Sequence, residues 1–395
     1  MNYIFISPNF PTLYSKFVKA LNDRGVNVFG IGDQRFDELN DELKENLKEY
    51  CYVSDLSNTK WMIETIQYLK NKYGDIDFIE SNNEYWMMND AKYREWFNVK
   101  NGYRYHDLEV FQSKSGMKKY FEQAGAKVAR YHLVTSLEES IKFIEKVGYP
   151  VFAKPDHGVG AADTFKISNI DELKSFHLLN LPTQYIMEEY LDGYIISFDG
   201  VADKNGDVVI AFNETFPTPI DKVVKEKMEI YYYAKTKMNK EFYNLGSKVI
   251  KSFEVRQRCF HTEYFVLTKD KEGLGKKGDI VGLEINLRSP GGSTPNLLNL
   301  TTNYDYFEAY ADSIVDSVKN IDYETSKFAV SVSRRDGNKY LFNNEQIFSK
   351  YGNNIKDVGR YSKEFRDAMG DEFYIAVFDN KKEMDEFIKF IYQKN

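Results

Sequence analysis

From Val281 to Gly292 the chain reads Val-Gly-Leu-Glu-Ile-Asn-Leu-Arg-Ser-Pro-Gly-Gly. Glu284, Asn286 and Arg288 alternate with Leu283, Ile285 and Leu287, which is the period of a β-strand. A carboxylate, an amide and a guanidinium therefore share one face, about 7 Å between successive members. Hard oxygen donors beside a fixed cation suit Mg²⁺ holding phosphates, with the arginine facing an oxyanion as it forms. The same alternation also describes a solvated face of an amphipathic strand. A second segment bears on the choice. Arg258–Leu267 reads as a strand with Glu263 inside it, and the glycine- and lysine-rich Thr268–Asp279 loops from it back to Val281. Antiparallel pairing of the two strands would set Glu263 beside Glu284, so that two acids and an amide converge.

Other residues could serve the same chemistry. Lys154 ends a short apolar strand, Val151–Pro155, where a lysine otherwise lacks a partner. It runs into Asp156-His-Gly-Val-Gly-Ala-Ala-Asp, a loop whose backbone N–H groups could approach phosphates closely. Such glycine turns are common, and the preceding lysine is what raises the signal. Lys114 lies on a segment, His106 to Gly125, that reads as one helix. Ser81-Asn82-Asn83-Glu84 follows a strand and either grips a polar substrate or caps a turn and helix. His157 and His261 read as general bases or as satisfied structural histidines. Arg256 and Arg258 read as a surface pair or as holders of a substrate carboxylate. Cys259 reads as a buried, inert thiol.

These groups need elements to position them. Up to about residue 100, short apolar runs alternate with helical stripes: Tyr3–Ser7, Leu13–Arg24, Val26–Ile31, Asp37–Lys48, Tyr50–Val53, Asn58–Lys72, Ile76–Glu80 and Glu84–Phe97. Repeated βα units of this spacing predict a doubly wound parallel sheet, with its ligand crevice at the strands' carboxyl ends. No GxGxxG follows the first strand, which argues against a dinucleotide site. Beyond it, Val128–Val134, Val151–Pro155, Thr164–Ile167 and Tyr185–Gly193 predict a small sheet, and Ile196–Ala202, Val208–Phe212 and the two acidic strands a larger one. A helix is expected over Asn303–Lys319, and the tail is expected to hold strands at Phe328–Ser333, Tyr340–Phe342 and Phe373–Phe378 and a last helix at Met384–Gln393. Pro217–Lys240 is left unplaced.

The 395 residues exceed one ordinary core, and 42% hydrophobic content is enough to fill two or three. A net charge of -7 without a basic run argues against a nucleic-acid partner. Two cysteines in unrelated contexts give neither a disulfide framework nor a CxxC metal site, which fits a reducing compartment. No signal peptide and no apolar run of membrane-spanning length are apparent. A cytoplasmic protein is the expectation.

In this order, Lys114, the Val151–Pro155 strand with Lys154, the Gly158/Gly160 loop, Met187–Leu191, Phe260–Phe265 and Leu283–Gly292 resemble the ATP-grasp superfamily, in its carboxylate–amine ligase branch. The likeness covers roughly residues 1 to 320. It implies an α/β fold: an N-terminal doubly wound parallel sheet (1–104), an ATP-grasp fold of two α+β subdomains clamping a nucleotide (105–325, with a lid at about 126–191), and a small α+β C-terminal segment (326–395). It also implies ATP and Mg²⁺ or Mn²⁺ as cofactors. Lys114 and Lys154 would contact the phosphates, and the loop holding Gly158, Gly160, Ala161 and Ala162 would close over them. Glu188, with Glu189, Tyr190 and Leu191, would read adenine's edge, and Phe152, Phe265 and Leu283 would line its faces. Glu263, Glu284 and Asn286 would hold two metal ions. Arg288 would stabilise the acyl-phosphate and the tetrahedral intermediate; Asn82, Asn83 and Glu84 are the substrate candidates read from the residues themselves.

Two positions depart from the family's pattern. No acid stands between Gly193 and Ser197 for the ribose hydroxyls, where Asp192 or Asp199 would have to substitute. Ala161 stands where serine is common. The implied activity is an ADP-forming ligase joining a small carboxylate, an amino acid by default, to an amine, with a homodimer possible. A kinase or carboxylase on the same scaffold and a non-catalytic nucleotide-binding module are the rivals.

Overall fold

The computed structural model describes residues 1–157, 164–218, 220–361, 363 and 366–394, with only the backbone of 220–222. The first strands are β1 (Asn2–Ile6), β2 (Asn27–Gly32), β3 (Glu49–Tyr52) and β4 (Phe78–Glu80). They form a parallel sheet in the order β3-β2-β1-β4. Both faces are covered by helices, so its strands are near-continuous apolar runs. Tyr3, Ile4, Phe5 and Ile6 of β1 are all sealed.

Two sheets follow. The strands are β5 (Lys127–Val128), β6 (Tyr131–Leu133), β7 (Val151–Pro155), β8 (Phe165–Ile167), β9 (Tyr185–Glu189), β10 (Gly193–Ala202), β11 (Val208–Phe216), β12 (Tyr231–Lys235), β13 (Arg258–Leu267), β14 (Ile280–Asn286), β15 (Phe328–Arg334), β16 (Ile355–Arg360) and β17 (Glu372–Phe378). The order β6-β9-β7-β8 makes a small antiparallel sheet. The order β16-β17-β15-β12-β11-β10-β13-β14-β5 makes a nine-stranded one.

The α/β class expected from the sequence is the class observed, and several elements differ in extent. The single helix expected over His106 to Gly125 is a 3₁₀ segment, His106–Gln112, and a separate α-helix, Lys114–Gln123. Ser113 divides them because its hydroxyl caps the helix by accepting from Gly116 N. Val128–Val134 is two strands in different sheets, β5 and β6, so the chain crosses between sheets there. The helix expected over Asn303–Lys319 is shorter, Tyr306–Ile314. Tyr340 makes only an isolated bridge with Lys394, and the strand of that region is β16, which periodicity did not single out. The unplaced Pro217–Lys240 contains β12, which joins β11 to β15 and so carries the large sheet into the tail.

Candidate active site

β13 and β14 are antiparallel neighbours, and their register pairs Glu263 with Glu284 and His261 with Asn286. The juxtaposition expected from the loop between them is the one observed. A bulge lies between this pair and the next, where Tyr264 meets Gly282. Leu283 is the extra residue, and it is half-buried while Ile285 and Leu287 are sealed. Strict alternation is therefore broken just before the acids, as bulges near functional sites commonly do. Regular strand ends at Asn286, which places Arg288 in the bend that follows.

The electrostatics of the pair favour a cation. Burial and the neighbouring Glu263 push the Glu284 carboxyl up, against the pull of Lys154 and Lys114. Burial acts the same way on Glu263, but His261, Arg288 and Lys154 outweigh it and hold it down. Two facing carboxylates and an amide oxygen are a donor set for a hard divalent ion, so Glu263, Glu284 and Asn286 fit the Mg²⁺ that the sequence implied.

Arg288 and the N-terminal unit meet here. Arg288 Nε donates to Glu84 Oε2 at 3.1 Å. The Asn286 amide, oriented so that both its ends are satisfied, places its nitrogen 2.9 Å from Glu84 Oε1. Of the three substrate candidates after β4, Asn82, Asn83 and Glu84, it is Glu84 that meets Arg288 and Asn286. Asn83 caps the turn by accepting from Tyr85 N at 2.9 Å. Asn82 is fully buried at a backbone φ of +51°, and its carbonyl accepts from the Tyr14 hydroxyl at 2.6 Å.

The two lysines come from different elements. Lys154 is the next-to-last residue of β7, and its ammonium lies 2.6 Å from Glu188 Oε2 on β9. Burial opposes its charge, yet Glu188, Glu284 and Glu263 hold the ammonium above its ordinary range. Lys118 pairs with the other Glu188 oxygen at 2.5 Å. Burial alone would raise Glu188, but these two lysines hold its carboxyl down to about 2. Two cations thus pair with the carboxylate that the resemblance places at adenine's edge.

Lys114 is buried at the first turn of its helix, where burial lowers its basicity and Glu284 works against that fall. Asp156 ties this turn to the end of β7. Its carboxylate accepts from Ser113 Oγ at 2.9 Å and Ser115 N at 2.8 Å, and its carbonyl accepts from Lys114 N at 2.9 Å. Gly158, Gly160, Ala161 and Ala162 lie outside the described residues.

At the end of β9, Glu189 is gripped by Arg130, whose Nη2 lies 2.6 Å and Nε 3.0 Å from the carboxylate. The Tyr190 ring packs against Phe152 at 5.5 Å and under the Lys166 ammonium at 4.5 Å. Leu191 and Phe265 share a small apolar cluster with Ala129, Leu267 and Val281. Asp199, a sequence candidate for the ribose, is sealed and engaged with Ser197 and His261, so it cannot reach a sugar. Arg258 is not a surface residue: it is buried and pairs with Glu80 at 2.7 Å, while Arg256 is exposed beside Glu254.

Lys118, Asp156 and Glu214 were not singled out from the sequence. Lys118 could have been, because it lies one helical turn beyond Lys114 on the same face. Glu214 carries a weaker signal, an acid within the aromatic run Phe-Asn-Glu-Thr-Phe.

No family model matches the chain. An L-arginine-specific L-amino acid ligase of Bacillus subtilis is 21% identical over 276 residues, which is 66% of this chain and 63% of that protein. The N-terminal section of the carbamoyl phosphate synthase large chain of Aquifex aeolicus is 31% identical over 114 residues, 28% of this chain and 20% of that protein. The chain thus spans less than two thirds of the length of these relatives. An L-amino acid ligase of Bacillus licheniformis superposes with a TM-score of 0.71 at 14% identity, covering 99% of this chain and 96% of that one. This is the ATP-grasp fold. A second ATP-grasp structure, the biotin carboxylase domain of a Hydrogenobacter thermophilus 2-oxoglutarate carboxylase in complex with MgADP, superposes at 0.68 with 14% identity, covering 98% and 89%. Relatives and neighbours alike are ATP-grasp ligases.

Proposed function

We propose that this ATP-grasp chain is an ADP-forming carboxylate–amine ligase whose carboxylate substrate is an amino acid. The observation that carries the reading is the register of β13 on β14, which sets Glu263 against Glu284 beside Asn286, with Arg288 next along the chain. Two similar proteins are named L-amino acid ligases, which supports the substrate class. A substrate carboxylate oxygen attacks the γ-phosphorus, forming an acyl-phosphate as the bond to ADP breaks. The amine's lone pair then attacks the acyl carbon, phosphate leaves, and the amine nitrogen gives up a proton.

Lys114 and Lys154 offset the triphosphate charge so that an anion can approach. Mg²⁺ held by Glu263, Glu284 and Asn286 would supply further neutralisation of the phosphates. Arg288 faces the tetrahedral oxyanion, and Glu84 orients its guanidinium. No protein nucleophile is needed. A homodimer of the full chain belongs to the same proposal.

Phosphate release from ATP and Mg²⁺ with pooled amino acids and amines tests the reading. Release should depend on both substrates and fall at least about 100-fold in Glu284→Gln. Unchanged release in that variant removes the acids from the chemistry.

A further inference from the structure

The polar face that carries Glu263 and Glu284 continues past β13. Across β10 and β13, Ser197 pairs with Glu263 and Asp199 with His261. Across β10 and β11, Asp199 pairs with Phe212, so Glu214, two residues on, shares the face. At this far end, Asp199 is 0%, Glu214 1% and His261 8% exposed. Each offers a ligand atom, and these atoms lie within 4.8 Å of one another.

Asp199 is held by the Ser197 hydroxyl and by His261 Nδ1, while His261 Nε2 lies 3.2 Å from Glu263 Oε1. Glu214 Oε1 is the independent observation: it is buried and meets no hydrogen-bond donor among the described residues. Two sealed carboxyl groups facing one another, Glu214 and Asp199, need either a shared proton or a cation between them.

We infer that Asp199, Glu214 and His261 bind a divalent transition-metal ion, separate from the ions at Glu263 and Glu284. One imidazole nitrogen with two carboxylate oxygens suits Mn²⁺ or Zn²⁺, whereas Mg²⁺ prefers oxygen ligands and retained water. The ion takes the place of the imidazole proton. It ties β10, β11 and β13 together at one point, and through His261 it fixes the carboxylate of Glu263 from behind. The inference does not depend on the ligase reading, because the site is complete without nucleotide.

The test is metal binding by the full-length chain, stripped with chelator and supplied with Mn²⁺, Zn²⁺ or Co²⁺ in the absence of nucleotide. One ion should bind per chain, and the Co²⁺ form should show the visible absorption of an imidazole-ligated ion. Glu284→Gln should keep this ion, and Glu214→Gln and His261→Gln should lose it while retaining the near-ultraviolet dichroism of the folded chain. Should those variants fail to fold, the Co²⁺ spectrum of the unaltered chain decides alone. The absence of a nucleotide-independent ion, its retention in folded Glu214→Gln, or its loss in Glu284→Gln overturns the inference. Phosphate release by the unaltered chain in Mg²⁺ tests the ligase reading separately.

Discussion

Lys154 is held charged in a place where burial alone would strip it, because Glu188 sits 2.6 Å away with Glu284 and Glu263 beyond. On the proposed reading a nucleotide phosphate approaching it would compete with Glu188, which Lys118 would keep paired. Lys154→Met should therefore weaken ATP binding by about 10- to 100-fold, or ~1.4–2.8 kcal/mol, with the fold intact by circular dichroism. Calorimetry with unchanged affinity would take Lys154 out of the site. Glu188 gives a pH signature. Its folded carboxyl lies near 2, below the ordinary value of 4.5. The stabilisation is therefore fully present above about pH 4.5 and is lost as pH falls towards 2, amounting to about 3 kcal/mol. Denaturant midpoints across that window should fall less steeply in Glu188→Gln. An unchanged slope would mean that the two lysines do not hold this acid in its charged form.

The elements show why the acids and lysines meet. The helix Lys114–Gln123 lies on β14 at Gly282, where a Cβ would stand 2.4 Å from the Phe121 ring. Glycine there is a close-approach requirement, not a turn. Gly282→Ala should cost about 1–3 kcal/mol by overpacking and displace Lys114 from Glu284. Thermal melts read the first effect and ATP affinity the second, and a neutral melt would mean the helix has room to move. The register of β13 on β14 was legible in the sequence because alternation fixes which side chains share a face, and a one-residue slip would turn every acid away. The bulge at Leu283 was not legible, since it depends on the partner strand. The break at Ser113 was readable as a capping serine, but the apolar stripe running through it was the stronger signal.

Over the whole molecule, the parallel sheet and the nine-stranded sheet share one core. Phe17 meets Phe307 at 4.7 Å and Tyr310 at 5.0 Å, and the Tyr3 and Tyr310 hydroxyls bond at 2.7 Å. Glu80, at the end of β4, is the ionic counterpart of that contact. It receives Arg94 at 3.0 Å and Arg258 from β13 at 2.7 Å, and Arg258 Nε also donates to Leu287 O at 2.9 Å, next to Arg288. Glu80→Gln should destabilise the chain by about 3–5 kcal/mol, because two buried guanidiniums lose their anion. A small change in the denaturant midpoint would place the cost of this network elsewhere.

What the sequence determined alone is whatever is carried by local periodicity and order: the α/β class, the paired acids, the lysine at a strand end and the family likeness. The tertiary structure alone decided which charges answer one another. Lys118 and Lys154 close on Glu188, Glu84 reaches Arg288 from 204 residues away, and Asp199 turns inward to His261. Those pairings are set by the packing of separate sheets, and a periodicity of two or 3.6 carries no information across such distances along the chain.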